Sequence, residues 1–503
     1  VKITFASASN FDAERSITVS TGNFLARENA FTQISAGRSH FIGINKNGRL
    51  QSFGSNNHGQ ASTLLNAEIK AVESGASSSY AVDVNGDVYS WGSNFYGQLG
   101  LGTEKLSVDA PVKVNGLSNV TQLAAGAEHA LALTDSGKVY AWGNNRYGQL
   151  GTGNMVTKTQ ENKPVLVDSL TGKGIVTIGA GTDTSYAVSE DGTLYSWGAN
   201  YLGQLGDGND ALDNRDLPNA VTISEMKVLS VAGGGSHTVA LCYKDSNGNN
   251  LYDTEEAKSV FVWGSDTRAQ LGFGDLGQWI NTPKRQTALD GIDIVAVAAG
   301  DAHTLALASD GTIYSWGWNE EGQLGIGMAA YGYVPAKVYN IPRITAITAG
   351  YAYSVALAED GRTYAWGNNV MQQITNSSQA FFNSPIVVNL PLDDISIGDV
   401  TFKNASEETE NMPQNGGVYT VFTNCYNDSG SDFEGVVRIC AYQLFDEKPQ
   451  LLSTVSVSVS VDTKKQESLS AEITLPEEIE NVIIKIFAWD SEVTPYSRAA
   501  IVK

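Results

Sequence analysis

Twelve residues of this chain, DSNGNNLYDTEE at 245–256, carry oxygen-bearing side chains at a spacing that suits a cation. Counted from Asp245, positions 1, 3, 5, 9 and 12 are Asp245, Asn247, Asn249, Asp253 and Glu256, and Leu251 offers a main-chain carbonyl at position 7. A hard cation such as Ca²⁺ takes about six to eight oxygen ligands, and EF-hand loops draw them from these positions, the last carboxylate binding through both oxygens. Asn250 stands where glycine is usual, and asparagine tolerates the left-handed conformation. One structural Ca²⁺ is therefore expected here. A polar hairpin extension is the alternative, because Asn, Asp and Gly also favour turns.

Other reactive side chains are not arranged for catalysis. Cys242, Cys425 and Cys440 lack metal-ligand spacing, and an odd number gives no disulfide framework. Cys425 and Cys440 either pair or lie on adjacent strands as small hydrophobes. His40, His129, His237 and His303 share one register position that Ser78, Thr184 and Tyr353 fill elsewhere. That scatter fits structural hydrogen bonding rather than metal or catalytic chemistry. Asp191, Asp310 and Asp360 sit in DG turns. No nucleophile–base pair, phosphate-cradling loop or dinucleotide fingerprint is recognisable, so no enzyme activity is expected. Binding is the better use of the remaining unusual residues. Phe95, Arg146, Tyr201, Trp318 and Tyr351 stand at positions that vary between otherwise repeated segments. Aromatic residues and arginine dominate interface hot spots, so these five are the expected binding residues; packing on a neighbouring loop is the bland alternative for each.

The elements that position them come from a repeat. WGSNFYGQLG at 91–100 returns as WGNNRYGQLG at 142–151, WGANYLGQLG at 197–206 and WGWNEEGQLG at 316–325. Aligned on their first glycine, seven copies begin at Gly37, Gly75, Gly126, Gly181, Gly234, Gly300 and Gly350. An aromatic follows 16 residues later in six copies, and 29 residues later in the fifth, where the 245–256 stretch is inserted. Such a period signals a repeat architecture. HALAL at 129–133 and KVYAW at 138–142 read as strands joined by a turn. Outer strands follow at PVKV 111–114, PVLV 164–167, PAKV 335–338 and PIVV 385–388. Each copy is thus an antiparallel sheet of about four strands, and seven such sheets bury their faces only when packed radially. The first copy has no Pro-x-x-Val strand upstream, so Pro385–Val388 is expected to complete the first blade and clasp the ring, with the N-terminal segment 1–29 sharing in closure.

With seven phased copies over roughly residues 30–390, the pattern resembles the regulator-of-chromosome-condensation family of seven-bladed propellers. The resemblance implies a rigid disc that binds partners through variable loops. Members include a plant photoreceptor with light-sensing tryptophans inserted beside the first-glycine motif; Arg38, Ala76, Ala127, Thr182, Gly235, Asp301 and Tyr351 hold that position here, without a tryptophan.

The repeat stops near residue 391. Residues 392–503 alternate in runs such as VYTVFT at 418–423 and VIIKIFAWD at 482–490, a small β-sandwich pattern. The ending FAWDSEVTPYSRAAIV resembles immunoglobulin-like modules of secreted proteins of Gram-positive bacteria. The expected chain is therefore all-β: an N-terminal segment 1–29, a propeller 30–391 and an immunoglobulin-like sandwich 392–503, bacterial, and secreted or cell-surface. A net charge of −22 with no basic run argues against nucleic acid and anionic membranes as partners, and no apolar stretch reaches the length of a membrane-spanning helix. The leading expectation is a non-catalytic extracellular propeller that binds a protein or a cell-envelope glycan. The alternatives are an enzyme with its site at the central pore and, last, a GTPase exchange factor.

Overall fold

The computed structural model describes residues 31–388 apart from 46–47, 64, 66, 250–251, 254–255, 360 and 376–377, and, outside that span, strand backbones between residues 2 and 18 and between 395 and 501. The chain divides into two compact units, residues 28–388 and residues 1–27 with 389–503.

Seven antiparallel sheets make the larger unit. In the third blade the strands run Val120–Ala125, His129–Thr134, Val139–Asn144 and Gln160–Leu166, hydrogen-bonded in that order from axis to rim. The second strand, HALALT, is buried along its whole length because neighbouring blades cover both its faces, whereas the outer strand has no fully buried residue. Every pairing of innermost with second strand carries a register shift two residues in, as between Val120 and Gln122. Such bulges increase local twist, which each blade needs to splay from a narrow axis to a wide rim.

The repeated letters hold the blades together. Trp91, Trp142, Trp197, Trp263, Trp316 and Trp366 are fully buried. Each donates its indole N–H to the main-chain carbonyl of a glutamine in the preceding blade, at 2.8–3.0 Å, on Gln60, Gln98, Gln149, Gln204, Gln270 and Gln323 respectively. The histidines add a second link. Nε2 of His40, His129, His237 and His303 meets a hydroxyl of the next blade, on Ser79, Ser185, Thr304 and Ser354, at 2.9–3.0 Å. Those four hydroxyls donate their own proton to the glutamine carbonyl. The imidazole must therefore donate from Nε2–H, which leaves Nδ1 bare, and Nδ1 has no partner in any of the four. In these four copies the first glycine lies under the ring: a Cβ on Gly126 would fall 2.2 Å from His129 Cε1.

Ring closure differs from the expectation. Strand Phe381–Val387 pairs with Thr363–Asn368 of its own blade, Tyr364 opposite Val387. The Pro-x-x-Val strand thus ends each copy instead of opening the next. The first blade has three described strands, Phe31–Ala36, His40–Asn45 and Leu50–Gly54. Its copy is short, 38 residues from Gly37 to Gly75, which removes the length an outer strand needs. Strands Lys2–Phe5 and Arg15–Thr18 pair with each other and fall in the other unit, and the rest of the N-terminal segment lies outside the described residues. The ends meet through side chains: the Tyr353 hydroxyl donates to the His40 carbonyl at 2.5 Å, and Ala36 N–H donates to Thr348 Oγ1 at 3.2 Å. Phe53 takes the tryptophan position there, stacked on Phe41 at 4.7 Å.

The second unit contains, besides that N-terminal pair, a five-stranded sheet with Gly417–Asn427 at its centre and a four-stranded sheet in which Phe433–Phe445 pairs with Lys448–Val461 and Val482–Asp490. Cys425 and Cys440 lie on strands of different sheets. We propose that the two sheets pack as the sandwich expected of residues 392–503. Among the described residues no helix is long and apolar enough to cross a membrane.

Candidate functional site

Register brings two variable positions of every copy to one end of the blade. His129 pairs with Gly143, so the turn after the first strand and the loop after the third emerge side by side. The constant letters of that loop lock its backbone. Asn94 Oδ1 accepts from Leu99 N–H at 3.1 Å, its Nδ2 donates to the Lys105 carbonyl at 2.7 Å, and Gln98 Oε1 accepts from Tyr96 N–H at 2.9 Å. Asn145 and Gln149 repeat the pattern. Residues 95 and 96 and their counterparts are then free to vary without loss of the turn.

Four of the five expected binding residues are exposed on this face. Phe95 is 50% exposed, Tyr201 45% and Tyr351 38%, and Arg146 is exposed beside the Tyr96 ring, 5.9 Å from its centre. Trp318 is not: it is 8% exposed. As the last residue of strand Ile313–Trp318 it faces Tyr331 across the sheet and packs on Ala302 and Ala352, with the Arg268 guanidinium 4.4 Å above its ring. Its bulk replaces a small polar residue that elsewhere satisfies the turn glutamine, as Ser93 Oγ does for Gln98 Nε2; Gln323 Nε2 is left without a partner, as is Gln204 Nε2 above Ala199. Trp318 therefore lies beneath Arg268 instead of standing exposed.

Sequence reasoning missed Tyr147, Arg268 and Met371, all exposed. They occupy the position immediately after the variable one, and variation there was the signal available. Tyr147 and Tyr201 form a ring pair 6.2 Å apart, and the Arg38 guanidinium lies 4.7 Å over Tyr351. Charge is divided around the mouth of the axis. Burial, then repulsion from Glu128, raises the Asp183 carboxyl to about 6. Burial also raises Asp301, while Arg268 and Arg38 pull it down. Asp183 thus pairs with another acid, Glu128, whereas Asp301 sits with Arg38 and Arg268.

The 245–256 loop is drawn together by its own bonds. Asp253 Oδ2 accepts from Asn247 Nδ2 at 2.6 Å and Asn249 Nδ2 at 3.1 Å. Glu256 accepts from the N–H groups of Ser246 and Asp253, and Asp245 from that of Gly248. Leu251 lies outside the described residues. Among the described residues no three His, Cys, Asp or Glu side chains are grouped to hold a metal ion.

The innermost strands surround an axial cavity of about 430 Å³. Its wall combines small residues with aliphatic ones such as Ile34, Leu123 and Ile178, and its charged groups are Arg38, Glu73 and Asp301, with Tyr351 at the rim.

Residues 23–240 match the RCC1-like domain, and residues 259–307, 310–357, 294–323 and 344–373 match the regulator of chromosome condensation (RCC1) repeat. The ultraviolet-B receptor UVR8 of Arabidopsis thaliana is 35% identical over 233 residues, 46% of this chain and 48% of that protein. The probable E3 ubiquitin-protein ligase HERC4 of Mus musculus is 34% identical over 226 residues, 44% of this chain and 20% of that protein. The match thus spans about half or less of these relatives. Two solved structures share the fold: Prp20p of Saccharomyces cerevisiae, TM-score 0.59 at 23% identity over 76% of this chain and 92% of that one, and human WBSCR16, TM-score 0.58 at 24% identity over 69% and 89%. The chain carries a seven-bladed β-propeller built from RCC1-type repeats.

Proposed function

We propose that this propeller is a non-catalytic protein-binding module that engages its partner through the variable face. The supporting observation is the set of exposed apolar side chains there, Phe95, Tyr147, Tyr201 and Tyr351 with Val370 and Met371, held on turns whose constant residues are tied down. Contiguous exposed apolar surface marks interaction sites. The Prp20 structures concern binding to Gsp1p, histones and Kap60, so propellers of this fold are known on protein partners. The ending of the tail supports a secreted or cell-surface location, and the Tyr147–Tyr201 pair also suits stacking on a sugar ring, which makes a cell-envelope glycan the second ligand class. The experiment is affinity selection of a partner with the full chain, followed by titration of the Phe95→Ala/Tyr201→Ala/Tyr351→Ala variant. A loss of at least about 100-fold is expected, since aromatic hot spots contribute roughly 2 kcal/mol or more each; unchanged affinity contradicts the reading.

We also propose that Asp245, Asn247, Asn249, Leu251 (through its carbonyl), Asp253 and Glu256 take up one Ca²⁺ by exchanging the loop's internal bonds for cation contacts. What supports it is the phasing of three carboxylates and two amides on the single inserted loop. A ligand that binds only the folded state stabilises it by about 2.7 kcal/mol at 100 times its dissociation constant. Calcium should raise the melting temperature of chelator-stripped protein, and Glu256→Gln should blunt the rise. A melting temperature indifferent to both chelator and calcium leaves the hairpin alone.

A further inference from the structure

The axial cavity has a feature that the variable face does not use. Two residues before the first glycine, six blades place Ser35, Ala124, Gly179, Ala232, Ala298 and Thr348 against the axis, and the second blade places Glu73. Small residues are what a crowded axis requires, so the glutamate is a local exception to the frame. It is held in place: Ser35 Oγ donates to Glu73 Oε2 at 3.0 Å. Ser35 is itself fixed to the second blade, accepting from Ser74 N–H at 2.9 Å and receiving Ser74 Oγ on its carbonyl at 3.1 Å. The polar neighbour Gln122 on the third blade is occupied, clamped to both the N–H and the carbonyl of Ile178.

No cation answers this carboxylate. Among the described residues Glu73 takes part in no ion pair. Arg38, Asp301 and Tyr351 are the other ionisable groups on the cavity wall, and Arg38 lies over Tyr351. Burial pushes the Glu73 carboxyl up to about 7, against the downward pull of its bonds to Ser35 and Ser74, even though part of its surface opens on the channel.

We propose that the axial channel binds a linear alkylammonium group, with Glu73 as its counter-ion. The ammonium forms a charge-assisted hydrogen bond with the carboxylate, while the methylene chain lies along the small and aliphatic side chains of the wall, among them Ala124, Ala298 and Val297. The protein's net charge of −22 draws cations to it. Such a group arrives either as a free diamine or as a lysine side chain presented by a partner.

The test is calorimetric titration of the full chain with two probes, 1,5-diaminopentane and a short peptide containing one lysine. Binding of either probe at pH 8 is expected, weakening at least about tenfold by pH 6 as the carboxylate takes up a proton. Glu73→Gln, which keeps an acceptor for Ser35, should lose at least about tenfold in affinity, the scale of one charge pair. Asp301→Asn should bind as before. Ala298→Leu fills the channel and should abolish binding, which keeps the test decisive if Glu73→Gln does not fold. Binding of the diamine points to a free ligand, and binding of the peptide alone to a partner's lysine; both support the site. No binding of either probe at pH 8, or equal binding to Glu73→Gln or Ala298→Leu, overturns it.

Discussion

Acidification from pH 7 to pH 4 is expected to unfold the propeller. The four blade-joining histidines are buried as neutral rings, and burial lowers His40, His129 and His237 to about 4 and His303 to about 3. In the unfolded chain a histidine takes its proton near 6.5. Above that pH both states are neutral and nothing is lost; below it the unfolded state binds protons that the folded state refuses, so stability falls as pH drops from about 6.5 toward 4. The bare Nδ1, which would have to carry the new proton, has no acceptor facing it. Each ring contributes up to about 3 kcal/mol of this loss, and four together approach about 10 kcal/mol, comparable to the whole folding free energy of a typical domain. Glu73, Asp183 and Asp266, raised to about 7, 6 and 6, act in the opposite direction and offset part of it. Asp183 keeps contact with solvent, which shrinks its share, whereas Asp266 is buried. Denaturant titrations at half-unit pH steps should show unfolding free energy falling between pH 6.5 and 4, with a shallower slope in His129→Asn. A flat or rising profile contradicts this reading of the histidines.

Trp142→Ala should cost about 3–5 kcal/mol, the range for emptying a large aromatic site in a core. The indole fills the junction between the second and third blades, among Tyr80, Val82, Val114 and Leu123. In a closed ring a failed junction also releases its neighbours, which places the effect at the upper end. Trp142→Phe should cost only about 1 kcal/mol for the lost hydrogen bond. The Gln98 carbonyl keeps a donor in the Tyr80 hydroxyl at 2.7 Å, so no acceptor is orphaned. The first blade already uses Phe53 in this position. Thermal or urea unfolding of the two variants separates bulk from bond; an alanine variant within about 1 kcal/mol of wild type refutes the wedge role.

Seven blades were legible because the first glycine, the tryptophan and the glutamine recur in phase and each answers a contact made by the next blade. Closure was misread because a strand lying between two units fits the end of one copy as well as the start of the next, and periodicity alone does not assign it. The 38-residue spacing of the first copy was the available clue, since it leaves no length for an outer strand. Trp318 was misplaced for a different reason: it ends a strand facing Tyr331, and cross-strand burial is decided by register, not by membership of a variable slot. Tyr147 and Arg268 escaped notice one position further along. Glu73 was visible as the single carboxylate in a column of small residues, but that column acquires a shared environment only when the ring closes around it.

The most direct measurement is a hydrogen-exchange footprint of the full chain with its selected partner bound. Protection is expected in the turns that carry Phe95, Arg146, Tyr147, Tyr201, Arg268, Tyr351 and Met371, all at one end of the blades. Protection confined to the outer strands, such as Gln160–Leu166 and Tyr331–Lys337, or to residues 392–503, with those turns exchanging as in the free protein, contradicts the variable face as the binding surface.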